Sequence, residues 1–264
     1  MLKAIFFDLD DTLLWDKKSI QTAFEKTSQL VEEKYGIGAS EFEEVARTKA
    51  KDLYKGYETY EFTQLIGINP FEGLWGKFEE DHPEFQKMNH MVSSYHLDTW
   101  KSALKNFHIE DEEFAGKLVR AFRKNRKENP FLYEESLEVL ERLKKDYRLL
   151  LLTNGSPQLQ TTKLEITPEL RPFFEKIIIS GDFGQGKPEP AIFQFALKEM
   201  NLTNEDVLMV GDNLMTDILG ANRTGIQSVW LNREDKKKNE VKPTYEIKDL
   251  HELFPLLEKL SSKG

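Results

Sequence analysis

The sequence contains no cysteine and no long apolar run, and each absence excludes a class of protein. Without cysteine the chain forms no disulfide, iron–sulfur cluster or thiolate zinc site. The longest unbroken aliphatic run, Leu149 to Leu152, is far shorter than the ~20 apolar residues that a membrane span needs. Residues 1–7 lead directly into Asp8, with neither the charged region nor the cleavage site of a secretory signal. We therefore expect a cytoplasmic protein without a membrane partner.

The sequence also lacks an extended block of Lys and Arg. Its 264 residues include 37 Lys and Arg against 46 Asp and Glu, which gives a formal charge of -9. The strongest basic run, Lys236 to Lys238, stands among Glu234, Asp235 and Glu240, and this pattern is typical of a solvated loop. Because an acidic surface repels the phosphates of nucleic acid, we expect no nucleic-acid partner.

Short apolar runs predict the strands of a sheet: Ala4 to Phe7, Leu149 to Leu152, Ile177 to Ile179 and Val207 to Val210. These runs do not alternate polar with apolar residues, so both faces of each strand are expected to be covered, as in a parallel sheet. Helix-like segments accompany the later three runs, at 134–144, 190–200 and 217–223. This order predicts a doubly wound, mostly parallel, Rossmann-like α/β core over residues 1–15 and 130–264.

The interval 16–129 has a different pattern, in which apolar residues recur at helical spacing. One example comprises Ile20, Ala23, Phe24, Leu30 and Val31. The interval contains no strong strand candidate. We therefore predict an all-helical domain over residues 16–129, inserted after the first strand of the core.

Every predicted strand is followed by side chains that can do chemistry. These are Asp8 and Asp10, Thr153 and Asn154, Lys187, and finally Asp212 and Asp217. Taken singly, each is also typical of a turn, a helix cap or a solvated surface. However, the carboxyl ends of the strands in an open parallel sheet form its ligand-binding edge, so the groups are expected to gather there. Crowded carboxylates need a cation, and hard oxygen ligands select Mg²⁺. A cation, a lysine and N–H donors around one carboxylate describe a site for a phosphoryl group.

One of these segments also matches part of a nucleotide-binding loop. Residues Gly181 to Lys187 fit the first seven positions of the pattern G-x-x-x-x-G-K. The next residue, Pro188, has neither the hydroxyl that such a loop needs for magnesium nor an N–H group. The sequence therefore argues against a P-loop, while the turn still places the Lys187 ammonium near the carboxyl edge of the sheet.

The four groups, taken in order, resemble the motifs of the haloacid dehalogenase-like hydrolases. The matching residues are Asp8 to Thr12, Thr153, Lys187 with Pro188, and Gly211-Asp212 with Asp217. The resemblance spans about residues 1–15 and 130–232, and the helical insert resembles the first-type cap domain of that family. It implies that Asp8 is a nucleophile that forms an aspartyl-phosphate. It also implies that Asp10 protonates the leaving alcohol and then deprotonates the attacking water.

The same resemblance implies roles for the remaining groups. Thr153 and the N–H of Asn154 would hold phosphoryl oxygens, and Lys187 would balance the charge of the nucleophile and the phosphate. The implied Mg²⁺ ligands share hard oxygen donors: the carboxylates of Asp8 and Asp212 and the backbone carbonyl of Asp10. Asp217 would orient Lys187 or a water molecule on the metal.

The residue at position 10 separates two branches of the family. The dehalogenating branch lacks an Asp at the position of Asp10, since a halide departs without a proton, whereas a leaving alkoxide needs one. The resemblance therefore implies a phosphatase for a small soluble phosphate monoester: phosphoserine, phosphoglycolate, a nucleoside monophosphate or a sugar phosphate. Three alternatives remain: a phosphomutase of the same family, a receiver-like phosphoacceptor module without turnover, and a binding protein without catalysis.

Aromatic residues in the helical interval, and one directly before it, are candidates for substrate contact. They are Trp15, Tyr57, Tyr60, Trp75, His96 and Trp100. At helical spacing such residues more often belong to the core of the inserted domain. The sequence leaves both interpretations open.

Overall fold

The structure is a computed structural model, and it describes residues 2–237 and 240–262. The chain divides into two compact units. The first contains Met1–Trp15, Leu132–Gly155 and Thr167–Gly264, and the second contains Asp16–Phe131 and Ser156–Ile166. This division differs from the predicted one in two ranges. Residues 130–131 and 156–166 belong to the helical unit, whereas the sequence predicted them in the α/β core. Residues 156–166 belong to the helical unit because Lys163 forms a buried ion pair with Glu72 there.

The first unit contains one sheet of parallel strands. The strands are β1 (Ala4–Phe7), β2 (Arg148–Thr153), β3 (Lys176–Ile179), β4 (Val207–Gly211), β5 (Gln227–Leu231) and β6 (Tyr245–Ile247). Their order across the sheet is β3-β2-β1-β4-β5-β6. The predicted Rossmann-like α/β fold is confirmed. The predicted strands correspond to β1 to β4, whereas β5 and β6 were not predicted.

The winding of the sheet reverses beside β1. Phe7 pairs in register with Leu151 of β2 on one side and with Val210 of β4 on the other. From this centre the chain proceeds to one edge through β2 and β3, and to the other edge through β4, β5 and β6. Ligands of such sheets bind where the winding reverses, outside the carboxyl ends of the strands. Asp8 follows β1 directly and Asp212 follows β4 directly, so both stand at this point.

The helices are, in chain order, α1 (Asp16–Tyr35), α2 (Ala39–Lys55), α3 (Tyr60–Ile66), α4 (Pro70–Gly73), α5 (Pro83–Lys105), α6 (Glu112–Glu128), α7 (Ser136–Leu143), α8 (Pro157–Glu165), α9 (Ser180–Phe183), α10 (Pro190–Met200), α11 (Leu219–Arg223) and α12 (Leu253–Ser261). A π-helical turn, Leu214–Ile218, precedes α11. Short 3₁₀ turns cover Arg171–Phe173, Asn204–Asp206 and Leu250–Glu252. The predicted segment 190–200 coincides with α10. Segment 134–144 contains the shorter α7.

The second unit is helical, and aromatic rings fill its core. Helix α1 packs against α2 and α6, and α2 packs against α5. The ring centroids of Phe24 and Phe122 lie 4.8 Å apart, and those of Trp100 and Phe122 lie 5.7 Å apart. Of the aromatic candidates, Trp75, His96 and Trp100 are buried. Tyr57 and Tyr60 are partly buried against the same core.

The structure bears on two predictions from composition, the absence of a membrane span and the solvated basic run. No helix in residues 2–237 and 240–262 combines the length and apolarity needed to cross a bilayer. Within the basic run, Lys236 forms an ion pair of 3.0 Å with Glu234, while Lys238 lies outside the described residues. Trp15, which the sequence grouped with the cap aromatics, belongs to the first unit and is 39% exposed.

Candidate active site

An ion-paired group lies at the carboxyl edge of the sheet, where the winding reverses. The ammonium nitrogen of Lys187 lies 2.6 Å from Oδ1 of Asp8 and 2.7 Å from Oδ1 of Asp217. It also donates a hydrogen bond of 2.7 Å to the carbonyl oxygen of Leu152, near the end of β2. All three charged side chains are almost fully buried. The lysine therefore holds two carboxylates that the chain delivers from different strand ends.

A third carboxylate joins this group. Three carboxylate oxygens, one each from Asp8, Asp212 and Asp217, lie within 4.8 Å of one another. The main-chain carbonyl of Asp212 accepts a hydrogen bond of 2.8 Å from the indole N–H of Trp230. This bond fixes the backbone at the end of β4, directly beside the acidic cluster.

The side chain of Thr12 connects the first motif to the last. Its hydroxyl donates a hydrogen bond of 3.1 Å to Oδ2 of Asp8 and accepts one of 3.1 Å from the backbone N–H of Asp212. Asp8 therefore has one oxygen held by Lys187 and the other held by Thr12. The turn that makes this possible includes Asp11, which has a positive φ of 60°. Asp tolerates that conformation better than most residues.

A reciprocal amide contact positions Lys187. The side-chain oxygen of Asn154 accepts a hydrogen bond of 2.8 Å from the backbone N–H of Lys187, and its side-chain nitrogen donates one of 2.9 Å to the backbone carbonyl of Lys187. A Cβ on the adjacent Gly186 would lie 2.8 Å from the Asn154 side chain, so a larger residue there would displace this amide. The side chain of Asn154 thus supports the lysine, whereas the predicted phosphate contact of Asn154 uses its backbone N–H.

Asp217 reaches the site through an unusual turn. It stands in the π-helical turn that follows β4, and its Oδ2 accepts a hydrogen bond of 3.1 Å from the backbone N–H of Asn213. A Cβ on Gly211 would overlap the carboxylate of Asp217. Glycine at position 211 therefore lets this carboxylate approach the end of β4.

Burial governs the titration of the central pair. Burial, with the nearby charge of Asp217, raises the pKa of Asp8 to about 6 against the opposing effect of Lys187. For Lys187, burial alone would lower the pKa, but the carboxylates of Asp217 and Asp8 outweigh it and raise that pKa above its usual range. Lys187 therefore stays charged near neutral pH, and the raised pKa of Asp8 is caused mainly by burial.

The donor set of this cluster fits a hard divalent cation. Three carboxylates converge on one another, with the single ammonium of Lys187 bound to two of them. Close carboxylates repel, and a cation relieves that repulsion. Carboxylate and carbonyl oxygens are the ligands that Mg²⁺ prefers in proteins. The chemistry of these residues is thus compatible with a magnesium site.

The remaining predicted residues stand at the same edge of the sheet. Asp10 follows Asp8 by two residues, is half-buried and forms a bridge with Leu14. Thr153 is the buried last residue of β2 and is in register with Ile179 of β3. The ion-paired group itself consists of residues from the first, third and fourth motifs.

Sequence reasoning missed two supporting residues. Thr12 was part of the first motif, but no pattern indicated that its hydroxyl would link two strand ends. Ser180 was also missed: its hydroxyl accepts a hydrogen bond of 2.8 Å from the backbone N–H of Gly155, next to Asn154. Since both contacts join segments far apart in sequence, spacing alone could not have identified them.

Fold and site together define an α/β enzyme whose acidic centre is held by a lysine. Residues 2–225 match the family model of the haloacid dehalogenase-like hydrolases. The chain therefore belongs to this family and is a hydrolase, which confirms the resemblance seen in its motifs.

Individual proteins support the same placement. The chain is 30% identical to phosphoserine phosphatase of Thermus thermophilus, over 96% of this chain and 98% of that protein. It is 32% identical to a pyrimidine 5′-nucleotidase of Escherichia coli, over 73% of this chain and 93% of that protein. Among solved structures, a magnesium-bound HAD-hydrolase of Bacillus subtilis matches with a TM-score of 0.63 and 25% identity, covering 97% of this chain and 98% of that one.

Proposed function

We propose that this hydrolase is a Mg²⁺-dependent phosphatase that cleaves a small soluble phosphate monoester through an aspartyl-phosphate on Asp8. The observation that carries the proposal is the position of the Lys187 ammonium, 2.6 Å from Asp8 within a cluster of three carboxylates. A carboxylate does not readily attack a phosphate dianion, because the two negative charges repel. The lysine and a bound cation would reduce that repulsion.

Asp8 would act as the nucleophile. Lys187 and Thr12 hold its two oxygens, so the carboxylate has a defined orientation before the ester binds. One of these oxygens would attack phosphorus while the bond from phosphorus to the ester oxygen breaks. The carbon–oxygen bond of the alcohol stays intact. Covalent catalysis of this kind divides one difficult hydrolysis into two easier steps.

Asp10 would manage the protons of both steps. In the first step it would give a proton to the departing alkoxide. In the second it would take a proton from water as the water oxygen attacks phosphorus, which releases inorganic phosphate and restores the Asp8 carboxylate. Thr153 and the N–H of Asn154 would donate hydrogen bonds to the phosphoryl oxygens.

The metal would be bound by the carboxylates of Asp8 and Asp212 and the backbone carbonyl of Asp10. When bound, Mg²⁺ supplies positive charge that stabilises the phosphoryl oxygens in the transition state. The contacts of Lys187 with Asp8 and Asp217 would keep its ammonium directed at the phosphoryl oxygens as well. Asp217 would therefore serve to orient Lys187.

The relatives support phosphate esters as substrates. The names phosphoserine phosphatase and pyrimidine 5′-nucleotidase both indicate a small phosphorylated substrate. Phosphoserine and a pyrimidine nucleotide differ greatly in shape. The proposal therefore extends to the class of small phosphate monoesters, including phosphoglycolate and sugar phosphates. Asp10 favours ester hydrolysis over dehalogenation, because a leaving alkoxide needs a proton and a halide does not.

A panel of phosphate monoesters, assayed with Mg²⁺ and after EDTA treatment, tests this proposal. We expect the release of one inorganic phosphate for each ester consumed, loss of turnover in EDTA and recovery with Mg²⁺. A phosphomutase would instead move the phosphoryl group and release no phosphate. A receiver-like module would form a long-lived phosphoprotein with acetyl phosphate and show no turnover. Either result would contradict the proposed hydrolysis.

A further inference from the structure

A network of contacts supports Leu13 and Leu14, in the segment that follows Asp8. The backbone carbonyl of Leu13 accepts hydrogen bonds from the N–H of Tyr133, at 3.2 Å, and from the hydroxyl of Ser136, at 2.9 Å. Leu14 and Leu132 form an antiparallel bridge beside these contacts. All of these residues belong to the first unit, so the network is internal to the α/β unit.

Arg233 lies at the centre of this network. Its guanidinium donates a hydrogen bond of 3.2 Å to the backbone carbonyl of Thr12 and forms an ion pair with the buried carboxylate of Glu135. It also lies over the ring of Tyr133, 3.7 Å from the centroid. Tyr133 in turn stacks on Trp15, with ring centroids 5.3 Å apart and planes inclined by 15°. The side chain of Arg233 is only 16% exposed, so these contacts hold it in one place.

Thr12 transmits this restraint to the acidic centre. Arg233 holds the carbonyl of Thr12, while the hydroxyl of the same residue binds Oδ2 of Asp8 and the N–H of Asp212. A rotation of the Thr12 peptide would therefore disturb both strand ends at once. We propose that Arg233 is a positioning residue, which keeps Asp8 in its reactive orientation through Thr12 without contacting the substrate. This inference rests on the proposed function of Asp8.

Arginine suits this role better than lysine. Its planar guanidinium offers several donors in a fixed arrangement, so one side chain can meet a carboxylate, a carbonyl and an aromatic face together. A lysine would keep the charge but could not reproduce all three contacts. The chain also offers a matched control, Arg148. This residue donates to the carboxylate of Glu175 at 2.8 Å and to the carbonyl of Met200 at 2.7 Å, but it begins β2 and so stands at the opposite edge of the sheet.

Steady-state kinetics of Arg233→Ala, Arg233→Lys and Arg148→Ala with an active phosphate ester test the inference. Small displacements of reacting groups cost up to about a hundredfold in rate, so we expect kcat of Arg233→Ala to fall by about ten- to a hundredfold. The loss in Arg233→Lys should be smaller. KM and the inhibition constant of inorganic phosphate should stay nearly unchanged, because the groups that bind phosphate remain. Arg148→Ala should lose thermal stability while keeping its kcat.

Two further measurements separate positioning from a general structural role. Guanidinium chloride, at concentrations well below those that unfold proteins, should partly restore kcat of Arg233→Ala and leave Arg148→Ala unaffected. In a double-mutant cycle, Thr12→Val combined with Arg233→Ala should lose little more than Thr12→Val alone, since both changes interrupt one path. If Arg233→Ala does not fold, Glu135→Gln loosens the same guanidinium without removing it, and its kcat should also fall.

The outcomes are distinguishable. A wild-type chain that hydrolyses no phosphate ester would overturn the proposed function, and this inference with it. An active wild-type chain with unchanged kcat in the folded Arg233 variants, or in Glu135→Gln, would overturn the positioning role alone. A rise in the phosphate inhibition constant that parallels the loss of kcat would show that Arg233 contacts the phosphoryl group, which also contradicts positioning through Thr12.

Discussion

The ammonium nitrogen of Lys187 lies 2.6 Å from Oδ1 of Asp8, although the two residues are 179 positions apart in the chain. This contact joins the end of the central strand to the turn that precedes α10. The side-chain amide of Asn154 holds the main chain of Lys187, and the hydroxyl of Thr12 holds the second oxygen of Asp8. The proposed chemistry depends on this pair, and variants of the surrounding residues test it.

Replacing Asp8 with Asn should nearly abolish turnover. The two side chains have almost the same size, so the fold should persist while the nucleophile is lost. We expect kcat to fall by at least ~10³-fold, which is a loss typical of removing a covalent catalyst. Asp11→Asn is a suitable control, since Asn also tolerates the positive φ of 60° found there. Near-normal turnover by Asp8→Asn, after mass spectrometry has excluded deamidation, would contradict the covalent mechanism.

Replacing Asp10 with Asn should have an effect that depends on the leaving group. An aliphatic alkoxide is a strong base and needs a proton as it departs, whereas p-nitrophenolate is a weak base and leaves with little help. Single-turnover kinetics should therefore show strongly slowed phosphoenzyme formation with an alkyl phosphate and mild slowing with p-nitrophenyl phosphate. With the activated ester, phosphorylated Asp8 should accumulate, because the base for the second step is missing. Equal slowing with both esters and no trapped intermediate would mean that Asp10 is structural.

Mg²⁺ should stabilise the folded protein, and Asp212→Asn should weaken this effect. A ligand that binds only the folded state raises the melting temperature, so a thermal shift measured against Mg²⁺ concentration reports the affinity without an activity assay. We expect the apparent dissociation constant to rise at least about tenfold in Asp212→Asn. Asp146→Asn, at an exposed carboxylate two residues before β2, should bind Mg²⁺ as the wild-type chain does. Equal shifts in all three proteins would contradict the ligand set.

Adding one methyl group at position 211 should disrupt the site. The Cβ of Gly211→Ala would overlap the carboxylate of Asp217, so that carboxylate must move away from Lys187. We expect kcat to fall by up to about a hundredfold, by the same misplacement argument. Gly116→Ala in α6 is the matched control, because its Cβ meets only the far end of Arg120 at 3.5 Å. The control should be active and slightly more stable, as alanine favours helices. A fully active Gly211→Ala would show that Asp217 is dispensable.

The stability of the helical unit should depend on pH through His96. Burial lowers the pKa of His96 to about 4 from its ordinary value of 6.5, while its Nε2 lies 2.7 Å from the carbonyl of Gly73. Between these two values the unfolded chain binds a proton that the folded chain does not. Stability should therefore fall as pH drops through this window, by up to about 3 kcal/mol in total. Urea unfolding from about pH 7 to about pH 4 measures this slope.

Variants at two histidines of α5 isolate that effect. Stability of His96→Gln should fall less with decreasing pH than that of the wild-type chain, because glutamine does not titrate in this range. His90→Gln, at an exposed position of the same helix, should keep it. A slope unchanged by His96→Gln would show that His96 does not contribute to the pH dependence.

Much of the α/β unit could be predicted because strands that are buried on both faces have continuous apolar sequences. The runs of β1 to β4 are almost entirely apolar, which is the pattern of covered parallel strands. β5 and β6 lack a continuous apolar run. β5 begins with Gln227 and Ser228, and β6 has only three residues, of which Glu246 is exposed. β5 pairs with β4, and β6 pairs with β5 at the edge of the sheet; the sequence does not display these pairings.

By itself, the sequence determined the order of the strands' polar ends and the types of side chain at each. Parallel strands present their carboxyl ends at one edge, so the approach of Asp8, Lys187, Asp212 and Asp217 could be expected from strand order alone. Only the tertiary structure decided which groups support them. The hydroxyl of Thr12, the side chain of Asn154 and the guanidinium of Arg233 act across 33 to 221 positions of sequence. Such contacts depend on distances between folded segments, and no local pattern of residues encodes those distances.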